Sequence, residues 1–256
     1  MSEILAVVER AARASAMLEV AGAYARVLGC DVVVYATDAA LEAARRAAGP
    51  DQTVRPLPQA TPEWVTGRAS KPRVRLVVVS GEGMEDGWCA DLLQSCPAPV
   101  LVVPASMSGA DVKLPAARIL VPLDGTPEST AAVTEIIELF AATGADVVVL
   151  HVFDIETTPA FWDQPVHARR SWGEEFLARH AHGPGIRLEL RSGAPGQAVL
   201  DVAASESTDL IALGWSRNFS PGRAKTVRNT IGHATVPVLL VPLTPLATPG
   251  NGRESV

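Results

Sequence analysis

A strand–turn–helix–strand pattern over residues 118–151 is the feature that most constrains the fold. Two apolar runs, Ile119–Leu123 and Asp146–Leu150, lack polar alternation, which is typical of strands covered on both faces. Between them, apolar residues recur at helical spacing until Gly144. Parallel strands joined by a helix form a right-handed βαβ unit. Ligands bind such sheets at the carboxyl ends of the strands. Asp124 follows the first strand and is therefore expected where a ligand would bind.

The turn after the first strand carries its own helix-start signal. Thr126 is suited to cap the helix, and Pro127 to its first position. Asp124-Gly125 has two interpretations, which the pattern leaves open. The carboxylate could hydrogen-bond a ligand, or it could be turn chemistry before a helix.

The same pattern occurs twice along the chain. Three residues recur 115 positions later, namely Ile4 as Ile119, Gly29 as Gly144, and Asp31 as Asp146. A constant offset across strand, helix and strand indicates an internal repeat. We therefore predict two tandem domains, at 1–104 and 118–243. A linker at 105–117 connects them, and a disordered tail follows at 244–256.

Composition narrows the class of protein. The chain has 256 residues and a formal charge of −6, which argues against a nucleic-acid partner. Its three cysteines show no metal-binding spacing, and they suit a protein with reduced thiols. We see no signal peptide and no apolar run of membrane-spanning length. We expect a cytoplasmic protein without a membrane partner.

The second half resembles the universal stress protein family through ILVPLDGTPES, GADVVVLHV, SGAPGQAVLDVAASESTDLIALG and TVPVLLVP. The first half resembles it more weakly, through ILAVVER, GCDVVVYA and PAPVLVVP. The resemblance implies an α/β fold with two tandem, doubly wound, five-stranded parallel-sheet domains of Rossmann-like type. It also implies an intramolecular pseudo-dimer, with Val100–Val103 paired to Val238–Val241. A higher homo-oligomer is left open.

The resemblance further implies a site for ATP or a related adenine nucleotide. Family members that bind ATP use an aspartate after the first strand, a backbone contact after the second, and a G-x2-G-x9-G-[ST] loop after the fourth. The second half keeps the residues Asp124-Gly125, Val152 and Gly214. Arg217 stands at the second glycine, and either Val227-Arg228 or Ala224-Lys225 stands at the final pair.

The altered loop has two interpretations. The cations Arg217, Arg223, Lys225 and Arg228 could replace glycine amides as phosphate ligands, or they could belong to a solvated loop. Trp215 could fill the space that a phosphate would need. In the first half Glu9 replaces the aspartate, and Glu82, Glu85 and Asp86 would repel a triphosphate, so we expect no ATP there.

Aromatic residues gather in the region Phe161–Phe176, although they are only 5% of the chain. They could form a lid or a protein-partner surface, or an inserted loop that packs on the sheet. His151 is expected to be structural, and the remaining histidines show no metal-ligand spacing.

The leading hypothesis is a non-enzymatic stress-response or regulatory protein whose second domain senses an adenine nucleotide. The alternatives are a nucleotide-free protein-interaction module and a weak nucleotide hydrolase. No nucleophile, P-loop or metalloprotease motif is present.

Overall fold

The computed structural model describes residues 2–84, 87–108, 111, 116–153, 166–181, 185–220 and 224–243. The first half contains β1 (Glu3–Val8), α1 (Ala14–Leu28), β2 (Asp31–Ala36), α2 (Asp38–Ala47), β3 (Gln52–Pro56), α3 (Pro62–Ala69), β4 (Val74–Ser80), α4 (Trp88–Ser95) and β5 (Val100–Val103). The second half contains β6 (Arg118–Pro122), α5 (Pro127–Ala142), β7 (Asp146–Phe153), α6 (Val166–His180), β8 (Ile186–Ser192), α7 (Pro195–Ser205), β9 (Leu210–Trp215), α8 (Lys225–His233) and β10 (Val238–Pro242). Short 3₁₀ turns at Ala11–Arg13 and Gly81–Met84 complete the described elements.

The ten strands form one sheet in the order β3-β2-β1-β4-β5-β10-β9-β6-β7-β8. Neighbouring strands within each half are parallel, whereas β5 and β10 are antiparallel, with Leu101 opposite Leu239. This confirms the predicted α/β class, the tandem five-stranded halves and the pairing of Val100–Val103 with Val238–Val241. The two halves therefore form a pseudo-dimer within one chain.

Helices cover both faces of the sheet. One apolar cluster contains buried residues of α1, α2, α5 and α6, and the other contains residues of α3, α4, α7 and α8. Both clusters run through the two halves, so successive strand residues are buried on opposite faces. This explains the apolar strands without polar alternation. None of the described helices is both long and apolar enough to cross a membrane.

Trp215, at the end of β9, joins the two halves. Its side chain is 2% exposed, and its indole N–H donates a 2.9 Å hydrogen bond to the carbonyl oxygen of Leu93 in α4. The ring also packs on Phe219, with the ring centroids 4.5 Å apart. The structure therefore differs from the interpretation of Trp215 as a filler of phosphate space, because the indole lies against the first domain.

Arg13 holds the start of the predicted linker on the first half. Its guanidinium donates hydrogen bonds to the carbonyl oxygens of Pro104, at 2.5 Å, and Met107, at 2.9 Å. Met107 is buried in the core. This part of the linker is therefore packed on the domain. Residues 109–110, 112–115 and the predicted tail at 244–256 lie outside the described residues.

The buried indole bond between the halves gives a first prediction. Trp215→Phe keeps most of the ring but leaves the Leu93 carbonyl without its donor, so we expect the free energy of unfolding to fall by about 1–3 kcal/mol. Trp88→Phe is the matched control, because the Trp88 indole donates to the Ala60 carbonyl at the surface. Loss of this surface hydrogen bond should lower the free energy of unfolding by less than about 1 kcal/mol in the same urea denaturation. Equal losses in the two variants would contradict the joining role of Trp215.

Candidate functional site

Asp124 lies two residues beyond the end of β6, in the turn that leads into α5. Its Oδ1 accepts hydrogen bonds from the Thr126 amide (2.9 Å), the Thr126 hydroxyl (2.7 Å) and the Ser129 hydroxyl (2.5 Å). Partial burial raises the pKa of this carboxyl, but the hydrogen bonds from Ser129 and Thr126 outweigh that effect and hold the pKa below its usual value. The Thr126 hydroxyl also accepts a bond from the Ser129 amide at 3.3 Å, as expected of an N-cap. One carboxylate oxygen of Asp124 is therefore occupied by hydrogen bonds within the turn.

His151 is the centre of an aromatic cluster on β7. Its Nδ1–H donates a 2.9 Å hydrogen bond to the Leu123 carbonyl, which fixes the ring. Around it lie Phe153, Trp172 and Phe176, with centroids 4.6, 5.2 and 4.9 Å from the imidazole. Burial lowers the pKa of His151, although the Leu123 hydrogen bond and Asp124 act in the opposite direction. The hydrogen bond and the three rings therefore hold the imidazole in place.

A cavity of about 240 Å³ remains between this cluster and Asp124. Its lining consists of Asp124, Gly125, His151, Trp172, Glu175, Phe176, Arg179 and His180. Gly125 has a φ of +83°, and a Cβ at this position would lie 3.3 Å from the Phe176 ring. Glycine is thus required both for the turn and for the close approach of Phe176. The aromatic face of α6 covers the carboxyl end of β6.

The rim of the cavity is polar. The Arg179 guanidinium is ion-paired with Glu175, one helical turn earlier. The Nδ1 atom of His180 lies 2.9 Å from the Thr130 hydroxyl oxygen. The centroid of the His180 ring is 4.5 Å from that of the Phe176 ring. Burial, followed by the nearby charges of Arg179 and His151, lowers the pKa of His180. One side of α6 therefore combines an aromatic surface with a charged edge.

The loop after β9 keeps glycine-like backbone geometry without its glycines. Arg217 has a φ of +57° and Ala224, the N-cap of α8, has a φ of +54°. A left-handed conformation favours glycine and costs other residues about 1–2 kcal/mol. Of the two registers, the one with Ala224-Lys225 places a left-handed residue where the motif has its final glycine. The other register, with Val227-Arg228, places a helical residue there.

Gly214 lies within β9 and allows α5 to approach the sheet. A Cβ here would be 3.0 Å from Leu243 and 3.4 Å from the Cα atom of Ser129. Val152 lies opposite Arg191 in the pairing of β7 with β8, because β7 continues to Phe153, past the predicted strand end at Leu150. Both residues lie inside strands.

The predicted cations do not converge on the cavity. The charge of Arg217 acts on Cys96 of the first half, whose pKa burial raises to about 11. Arg228 donates a 2.7 Å hydrogen bond to the Phe219 carbonyl and lies over the Phe219 ring. Lys225 is exposed, and Arg223 lies outside the described residues. Among the described predicted residues, Asp124 and Gly125 line the cavity, whereas Val152, Gly214, Arg217 and Lys225 do not.

The corresponding region of the first half contains ion pairs. Glu82 lies 3.5 Å from the guanidinium nitrogens of both Arg10 and Arg13. These arginines follow β1, and Glu82 follows β4, so the pairs connect two loops at one sheet edge. Glu82 therefore has cationic partners, in contrast to the repulsive role expected for it. Glu85 and Asp86 lie outside the described residues.

Sequence reasoning missed Ser129, Arg179 and His180 as site residues. A usable signal was the four-residue spacing of Trp172, Phe176 and His180, which places all three on one helix face. Of the Phe161–Phe176 region, residues 161–165 lie outside the described residues. The described part of the chain contains no cluster of three or more His, Cys, Asp or Glu side chains that could hold a metal ion.

The hydrogen bonds of Asp124 in the turn before α5 give a second prediction. Asp124→Ala removes three hydrogen bonds and should lower the free energy of unfolding by about 1–2 kcal/mol. Asp124→Asn keeps an oxygen at Oδ1 and should lose less. Asp38→Ala removes an exposed first-turn carboxylate of α2 and should cost about 0.5 kcal/mol or less. If urea denaturation shows no difference between the two alanine variants, the Asp124 hydrogen bonds do not stabilise the turn.

The Universal stress protein family model matches residues 116–242. No curated protein gave a significant match to the sequence.

Two solved structures match across both halves. A functionally unknown protein from Pseudomonas aeruginosa PAO1 is 14% identical with a TM-score of 0.65, over 95% of this chain and 93% of its own. A universal stress protein from Archaeoglobus fulgidus DSM 4304 is 13% identical with a TM-score of 0.63, over 94% of this chain and 97% of its own. At these identities the matches establish the fold alone.

A universal stress protein in complex with cAMP covers 50% of this chain and 98% of its own, at 20% identity and a TM-score of 0.41. That likeness is too distant to indicate a ligand here. The family match and the shared two-half architecture give the same assignment. The second half of the chain belongs to the universal stress protein family, and the whole chain has the tandem-domain form of its fold.

Proposed function

We propose that this protein is a non-enzymatic stress-response regulator that works without a bound nucleotide. The observation that carries the proposal is the position of Phe176 over Gly125, with Trp172 beside it on His151. Family membership supports the stress-response role. The finer claim, that the second domain acts without nucleotide, rests on the geometry of the cavity.

The size of the cavity supports this claim. Pockets for small molecules and cofactors typically have volumes of about 300–1,000 Å³. The cavity beside Asp124 has about 240 Å³ and is open on one side, which is small for a nucleotide. Enlarging it would require Phe176 and Trp172 to leave their contacts with each other and with His151. Nucleotide binding would therefore have to overcome the packing of α6.

The hydrogen bonds at the cavity also support a non-enzymatic role. The Thr130 hydroxyl lies 3.0 Å from the Thr126 carbonyl, which can only accept, and 2.9 Å from His180 Nδ1. Its single proton therefore goes to the carbonyl, and the imidazole N–H donates to the hydroxyl oxygen. This arrangement orients His180 and does not activate Thr130 as a nucleophile. His151 Nδ1 is likewise occupied by the Leu123 carbonyl.

A second candidate is an adenine-nucleotide sensor that opens when α6 moves. It is favoured by the positive φ angles of Arg217 and Ala224, which are the conformations that glycines of a phosphate-binding loop adopt readily. In this alternative Lys225 and Arg217 would meet the phosphates.

Calorimetric titration with ATP separates the two candidates. We expect no binding by the wild-type protein up to about 1 mM ATP, because aromatic rings fill the site. Trp172→Ala enlarges the cavity, and Trp64→Ala is the control, since Trp64 is a half-buried tryptophan packed on Tyr35 in the first half. Wild-type binding with a Kd below about 100 μM would contradict the proposal. Binding gained by Trp172→Ala but not by Trp64→Ala would favour the sensor with a closed site.

A further inference from the structure

A second and larger cavity lies between the two halves, away from Asp124. It has a volume of about 700 Å³ and opens where β4 and β5 begin. Leu76 and Leu239 contribute to its lining from the sheet, one from each half. Val27 lines it from α1 and Phe140 from α5. The cavity therefore has an apolar interior built by both domains.

Two cations lie at the edge of this cavity. Lys71 and Arg75 line it, and among the side chains that the structure describes no aspartate or glutamate does, although the chain has a net charge of −6. Both side chains are exposed, and within the described part of the chain neither forms an ion pair. The nearby carboxylate of Glu3 is already paired with Arg68 at 3.3 Å and Arg73 at 3.2 Å. The edge of the cavity thus has two cations available to an anion.

The walls of the cavity are firmly held. Pro72, Pro97 and Pro99 line it beside the two cations, and proline restricts the backbone at each position. On the opposite wall the Tyr24 ring packs edge-on against Phe140, with centroids 6.4 Å apart. Tyr24 is 3% exposed, so this contact between α1 and α5 is part of the core. Because these walls are already fixed, little conformational entropy is lost when a ligand binds.

We propose that this cavity binds a free medium-chain carboxylic acid. The hydrocarbon chain lies against Val27, Leu28 and Ile136, which are half-buried apolar side chains of α1 and α5, and the carboxylate faces Lys71 and Arg75. The volume of about 700 Å³ is within the range of small-molecule sites. Since both halves supply walls, the ligand joins them and stabilises the folded chain. This site is independent of the cavity beside Asp124.

Calorimetric titration with sodium decanoate tests the proposal on the full-length protein. We expect about one decanoate per chain with a Kd below about 1 mM, and no binding of decylammonium, which has the same chain and the opposite charge. Lys71→Met combined with Arg75→Met should weaken decanoate binding about tenfold, because it removes both partners of the carboxylate. Lys225→Met removes an exposed cation of the second half that does not line this cavity, so it should leave the affinity unchanged.

A filling variant tests the position of the chain. Val27→Trp places a large ring in the cavity and should abolish decanoate binding, and circular dichroism will show whether the variant is folded. Decanoate should also raise the melting temperature of the wild-type protein but not of the double variant. The proposal is overturned if decanoate does not bind up to about 1 mM, or if decylammonium binds equally well. It is also overturned if the double variant binds as tightly as the wild type.

Discussion

The antiparallel pairing of β5 with β10 is the interaction on which the rest of the structure depends. Each half alone would expose an apolar strand edge, with unpaired backbone groups that could recruit another chain. Pairing Val100, Leu101 and Val102 with β10 removes both edges and produces one continuous sheet. It also reverses the strand direction between the halves. The carboxyl ends of the two parallel sets consequently lie at opposite edges, so their ligand-facing ends cannot combine into one site.

At both edges, side chains of the described residues contact one another beside the ends of the strands. The first half uses charge, since Glu82 pairs with Arg10 and Arg13. The second half uses aromatic packing, since Phe176 lies over Gly125 and stacks on Trp172. The single large cavity described between the halves has a different chemistry, with an apolar interior and a cationic edge. Our two proposals together place ligand recognition between the halves and away from Asp124.

Much of the fold was predictable because buried parallel strands leave a strong local signal. The apolar runs, the repeat offset of 115 residues and the cap at Thr126 identified the βαβ units and their order. The site was less predictable because it depends on tertiary contacts. Nothing local in the sequence shows that α6 lies over Gly125, or that the indole of Trp215 reaches Leu93 in the other half. The left-handed backbone at Arg217 and Ala224 runs against the preference of both residues, so residue type alone could not predict it.

The central claim is that aromatic side chains of α6 occupy the nucleotide region of the second domain. Its most direct test is to denature the purified full-length protein and quantify any adenine nucleotide that is released. The account predicts far less than one nucleotide per chain, since Phe176 and Trp172 leave only about 240 Å³ beside Asp124. Release of about one nucleotide per chain, lost in Asp124→Ala, would show that the site is open in the native protein and would contradict the account.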